Sequence, residues 1–219
     1  MRNHKATSFA GLALALLFMN MLTACSPDKK LPILGPREVS LSKDAEGKDK
    51  IDTIYKTIPN FRFLNQDSVF FDQNTFKDKI YIADFFFTSC STICPVMHRN
   101  MFNLYEAYKN NDKVMFLSHT IDFKYDTPSK LKRYAQKLGV DDKKWVFAYG
   151  EKEKIYQIAE KDYLVAVKED KDAKDGYIHQ GWLLLIDQHR RIRGAYDGTQ
   201  SADVAKLKED IAVLLAEKN

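Results

Sequence analysis

The sequence predicts an α/β domain in which a central mixed β-sheet is flanked by helices, and three observations carry that expectation. Residues 80–87, Ile-Tyr-Ile-Ala-Asp-Phe-Phe-Phe, are nearly continuously apolar, as a strand covered on both faces must be. Downstream, strand-patterned runs alternate with runs of helical period, the order that layers helices onto a sheet. With 45% hydrophobic residues, the chain of 219 can build one sizeable core, so one domain is expected.

At the N-terminus, Arg2 and Lys5 precede an apolar run over residues 9–22 that ends in Leu22-Thr23-Ala24-Cys25, the order of a secretory signal with a small-residue cleavage site. A membrane span needs about 20 apolar residues, and this run is shorter and interrupted by Asn20. Leu-Thr-Ala-Cys resembles the bacterial lipobox. That resemblance implies removal of residues 1–24, lipid on Cys25, and a domain held to a membrane of the bacterial envelope, outside the cytoplasm, by acyl chains. Residues 25–50 contain Pro27, Pro32, Pro36, two glycines and many charges without an apolar period, and read as a flexible tether. The formal charge of +4 loses Arg2 and Lys5 with the signal and is not gathered into a basic stripe, so no nucleic-acid partner is expected.

The domain proper is expected over residues 51–219. Residues 61–64 and 69–71 read as short strands around the turn Asn65-Gln66-Asp67-Ser68, and residues 80–87 as the central strand. A helix follows over residues 95–108, with Met97, Met101, Leu104 and Tyr108 at helical spacing and Pro95 in its first turn. Residues 114–118 form a strand; Asp126-Thr127-Pro128 caps and opens a helix that stops near Leu138-Gly139. A strand over 145–149, a helix over 151–161, a hairpin of 182–187 with 192–196 and a closing helix over 204–217 complete the order.

Chemistry concentrates where the buried strand gives way to the first helix, in Cys90-Ser91-Thr92-Ile93-Cys94-Pro95. With Cys25 assigned to an anchor, these are the two remaining cysteines of an exported chain. A helix N-terminus lowers a thiol pKa and raises its metal affinity. Four residues apart on a helical turn, the two side chains can share one ion or close into a disulfide. Two thiolates with an imidazole favour Cu(I) or Zn²⁺, and two ligands alone do not complete a zinc site. The third ligand is sought among His98, His119, His179 and His189. His98 lies one helical turn after Cys94 and offers a local triad, although a histidine there is more often solvated. His119 ends a strand and suits packing, His189 sits beside Arg190 and Arg191 in a turn, and His179 lies at a strand edge. Met97 and Met101 suit the core better than a soft-sulfur site.

The segment Ala83-Asp84-Phe85-Phe86-Phe87-Thr88-Ser89-Cys90-Ser91-Thr92-Ile93-Cys94-Pro95-Val96-Met97 closely resembles the copper-site segment of the Sco/SenC family. Ile121-Asp122 followed by Asp126-Thr127-Pro128, then Trp145-Val146-Phe147, then Tyr177-Ile178-His179 before Leu185-Ile186-Asp187, resemble further family segments in order and spacing. The likeness runs from about Ile58 to the C-terminus. It implies a thioredoxin-like fold, copper ligands at Cys90, Cys94 and His179 with one copper per chain, and assembly of the binuclear copper centre of cytochrome c oxidase. The partner so implied is the oxidase subunit that accepts the copper; because a disulfide sulfur is a poor metal ligand, a thiol reductant that keeps the pair reduced in the oxidising envelope is expected as well. Ile178, Gln180 and Phe123 stand where the family usually has Asp, Ser and Pro, so the surroundings of the imidazole differ. Asp122 reads either as a support for the site or as a loop cap. A thiol-disulfide oxidoreductase that keeps the oxidase cysteines reduced needs the same cysteine pair and is the alternative. Peroxidase chemistry is weaker, because Phe87 and Ser91 replace the proline and threonine that peroxiredoxins place before their cysteine.

Overall fold

A computed structural model describes residues 30–217. The central strand is β5 (Ile80–Phe86), buried at all seven positions. It pairs in parallel with β6 (Val114–Thr120), also wholly buried, and β6 pairs in parallel with β7 (Trp145–Ala148). On its other edge β5 meets β10 (Trp182–Ile186) antiparallel, and β10 forms a hairpin with β11 (Ile192–Asp197). The sheet order is therefore β11-β10-β5-β6-β7, a mixed sheet with its parallel part in the most buried strands.

Two small ribbons decorate it: β3 (Arg62–Leu64) with β4 (Phe70–Asp72), and β8 (Val167–Glu169) with β9 (Tyr177–His179). Helix α1 (Cys94–Tyr108) begins with Pro95, whose missing N–H costs nothing at the first turn, and buries Met97, Met101 and Leu104. The two methionines are core residues, as their spacing predicts. Helix α2 (Pro128–Leu138) stops at Gly139, which takes φ 72° and returns its N–H to Ala135 and Gln136 carbonyls. Helix α3 (Lys152–Gln157) runs into a π-helical turn, Ile158–Tyr163, and α4 (Ser201–Ala216) closes the chain.

Residues 30–50 correct the tether reading. Leu31 is buried, and β1 (Arg37–Lys43) pairs antiparallel with β2 (Asp49–Tyr55), so the expected boundary at residue 51 falls inside a strand. The physical signal was alternation: Val39 and Leu41 lie on one ribbon face opposite Thr53 and Ile51. A turn joins the strands, with the Asp44 carboxylate accepting from the Glu46 and Lys48 amides and Gly47 at φ 78°. Prolines and charges masked that pattern. The signal segment and Cys25 lie outside the described residues, as does the rest of 25–29. Among the described residues no helix is long and apolar enough to cross a membrane.

Arg193 fixes the start of this region. Its guanidinium, 5% exposed, donates to the Leu31 and Pro32 carbonyls, to Asp187 and to both oxygens of Glu217. Nearby, the Leu34 amide donates to the Ile192 carbonyl at 2.8 Å.

His119 is wholly buried, stacked on Phe85 at 4.8 Å with Tyr163 beside it, which is the packing role its position suggested. Burial lowers its pKa to about 4, whereas an unfolded imidazole protonates near pH 6.5. Between those values the unfolded chain binds the extra proton. The fold should therefore lose roughly 3 kcal/mol as pH falls from about 6.5 to 4. Urea denaturation of the protein and of His119→Phe across that range tests this: the variant should show a correspondingly shallower decline, and parallel curves would refute it.

Candidate metal centre

The chain leaves β5 at Phe86 and turns through residues 87–93 before α1 begins at Cys94. Three contacts set the shape of that turn. The Cys90 amide donates to the Phe87 carbonyl at 3.2 Å. Thr88 donates both its amide (2.8 Å) and its hydroxyl to Asp126, which also accepts from Thr120 and pairs with Lys130. Ser91 donates its amide and hydroxyl to Asp175, each at 2.9 Å. Asp126 was expected at a helix start; it is instead a fully buried clamp two residues before Cys90, and Thr127 makes no side-chain cap.

Cys90 and Cys94 are 7% and 1% exposed and carry thiols, with no disulfide between them. The Cys94 thiol hydrogen-bonds to the Cys90 sulfur, which places the two sulfurs side by side. That bond, then burial, push the Cys94 thiol well above the usual range, against the smaller opposing pull of a Phe87 backbone hydrogen bond. The helix N-terminus was expected to lower it; the neighbouring sulfur and the dry surroundings raise it instead. A thiol held protonated in this way would lose its proton to a bound soft cation.

His98 does not complete a local triad. It is 1% exposed, and both ring nitrogens are engaged, Nε2 with Asp84 at 2.8 Å and Nδ1 with the Tyr134 hydroxyl at 2.7 Å. His189 is exposed in the β10–β11 turn, in line with a surface role. His179 is the last residue of β9, its backbone opposite Val167; its side chain lies outside the described part of the structure. The strand itself is bound to the cysteine turn. The Tyr177 ring packs on Phe87 at 4.9 Å, and its hydroxyl donates to Asp122 at 3.1 Å, while Asp175 holds Ser91. Asp122 caps its own loop through the Tyr125 amide, one of its two expected roles, and also accepts from Tyr177 of β9. Among the described residues, no third His, Cys, Asp or Glu joins the two cysteines.

Sequence reasoning missed Asp126, Asp175 and the Asp84–His98 pair. Asp84 interrupts an otherwise apolar strand, and a carboxylate at such a position needs a buried partner. That was the available signal.

The SCO1/SenC family model matches residues 50–216. A SCO1/SenC family lipoprotein from Bacillus anthracis is 29% identical, with a TM-score of 0.67 over 74% of this chain and 96% of its own. BsSco, described as a member of the Sco family of cytochrome c oxidase assembly proteins with a disulfide switch, is 27% identical, TM-score 0.65, over 75% and 96%. ScoI of Bradyrhizobium japonicum with copper bound is 20% identical, TM-score 0.60, over 72% and 99%, a likeness of fold. The fold shared with these Sco proteins is the expected thioredoxin-like one.

Proposed function

This chain belongs to the SCO1/SenC family, and from that premise we propose that it is a copper chaperone for the binuclear copper centre of cytochrome c oxidase. Cys90, Cys94 and His179 are the proposed ligands, with one copper per chain. The observation that carries the reading is the pair of adjacent thiols at the end of a buried strand, one of them kept protonated by the other. Copper, Cu(I) above all, would suit such a donor set and would take the place of the Cys94 proton that the Cys90 hydrogen bond and burial hold. The turn contributes positioning: Asp126 fixes Thr88 on one side of Cys90 and Asp175 fixes Ser91 on the other. The oxidase subunit that accepts the copper is the proposed partner.

Thiol-disulfide exchange with the oxidase cysteines is the second reading, favoured by the same neighbouring thiols. Either activity requires a reductant to keep the pair open in an oxidising envelope. Lipid on Cys25 would hold the domain at the membrane where the oxidase resides.

Anaerobic copper titration of the reduced protein against a competing chelator tests the proposal, alongside Cys90→Ser, Cys94→Ser and His179→Ala. One copper per chain, with binding lost in either cysteine variant and weakened by at least about tenfold in His179→Ala, is the expected result. Weak binding indifferent to His179→Ala, together with rapid disulfide exchange, would replace it with the oxidoreductase reading.

A further inference from the structure

The cysteine pair is clasped on one side and open on the other. On the clasped side stand Asp175 and Tyr177, which hold the β8–β9 ribbon against the turn. On the open side, between α1 and α2, lies a cleft of about 470 Å³ that has Cys90 and Cys94 in its lining. Its walls include the apolar side chains of Pro95, Phe102 and Leu138. Two cations also line it, Arg99 from α1 and Lys137 from α2, both exposed. No carboxylate lines the cleft, and among the described residues neither cation is ion-paired, whereas Lys130 and Lys132 of the same α2 both are.

Charge and shape therefore ask for the same occupant. Acidic side chains would meet Arg99 and Lys137, an apolar side chain would cover Phe102 and Leu138, and a cysteine carried between them would arrive beside Cys90 and Cys94. We propose that this cleft docks an acidic, cysteine-bearing segment of a partner protein, with Arg99 and Lys137 selecting its charge. The inference rests on the copper-delivery reading and adds the recognition surface that delivery requires.

The test uses the reduced full-length chain and two fluorescein-labelled synthetic peptides. Both carry alkylated cysteines and a phenylalanine; one is flanked by glutamates and the other by lysines, so that docking is read without sulfur chemistry. The acidic peptide should bind more tightly, more weakly as salt rises, and roughly tenfold or more weakly to Arg99→Glu/Lys137→Glu, which should in turn prefer the basic peptide. Equal binding of the two peptides overturns the proposal, as does indifference to the charge reversal. A small acidic tripeptide thiol that competes as strongly as the acidic peptide overturns it too, by making the cleft a small-thiol site. Both positions are exposed, so the fold should tolerate the reversal, and circular dichroism checks it. Copper titration of the same double variant, expected to be unchanged, separates a failure of docking from a failure of the copper reading.

Discussion

Asp84→Ala is expected to destabilise the protein by roughly 3–5 kcal/mol, the cost of breaking a buried polar pair by removing one partner. The carboxylate is wholly buried in β5. One oxygen accepts from the Ser118 hydroxyl at 2.5 Å, itself an acceptor for the Trp145 indole N–H at 2.9 Å, and the other meets His98 Nε2 at 2.8 Å. Deleting it leaves a buried hydroxyl and an imidazole without their acceptor. Asp84→Asn keeps the volume and one acceptor, so its loss should be about half as large. Urea denaturation at fixed pH measures both; a loss under about 1 kcal/mol for alanine would show that the pair contributes little. His98 lies one helical turn beyond Cys94, so the same substitution should also loosen the start of α1 and, on the proposed function, weaken copper binding.

Arg193→Met is expected to cost about 3 kcal/mol and to release the segment around Leu31. A single guanidinium there satisfies two backbone carbonyls and two carboxylates. Asp187 keeps Arg191 at 2.8 Å in the variant and Glu217 keeps the Leu31 amide at 2.6 Å, which limits the loss, but the Leu31 and Pro32 carbonyls lose the guanidinium that they accept from. Hydrogen exchange distinguishes this from general weakening. The Leu34 amide should exchange at least about tenfold faster relative to amides of β5 and β6. Uniform acceleration across the sheet would refute a local fastening role.

Most of the central architecture was legible because its strands are buried and its helices amphipathic. Residues 80–87 announced β5 by continuous apolarity, and Pro95, Pro128 and Gly139 marked helix ends through their own backbone constraints. Two ribbons escaped. In β1–β2 the alternation is real, but Val39, Leu41, Ile51 and Ile54 stay exposed, so nothing in their burial reinforces it. In β8–β9 three-residue strands are too short for any period to emerge. At the site, the cysteine pair was legible because thiol chemistry depends on residue type and spacing. The carboxylates that shape it were not, because Asp126 and Asp175 reach the turn from 38 and 84 residues away. The same holds for His98: its spacing from Cys94 fits a ligand, and only the tertiary contact with Asp84 takes it out of that role.

The sheet order also dictates when the cysteine turn becomes sheltered during folding. On one edge β5 pairs with β6, about thirty residues downstream, while on the other it pairs with β10, about a hundred residues downstream. Closing the longer loop costs more chain entropy and waits for nearly the whole polypeptide to emerge. The β8–β9 ribbon that clasps the turn lies just before β10 and comes equally late. A chain that has not finished folding therefore presents both thiols to its surroundings until its last third has docked, and an oxidant encountered in that interval reaches them more readily than it does in the finished fold.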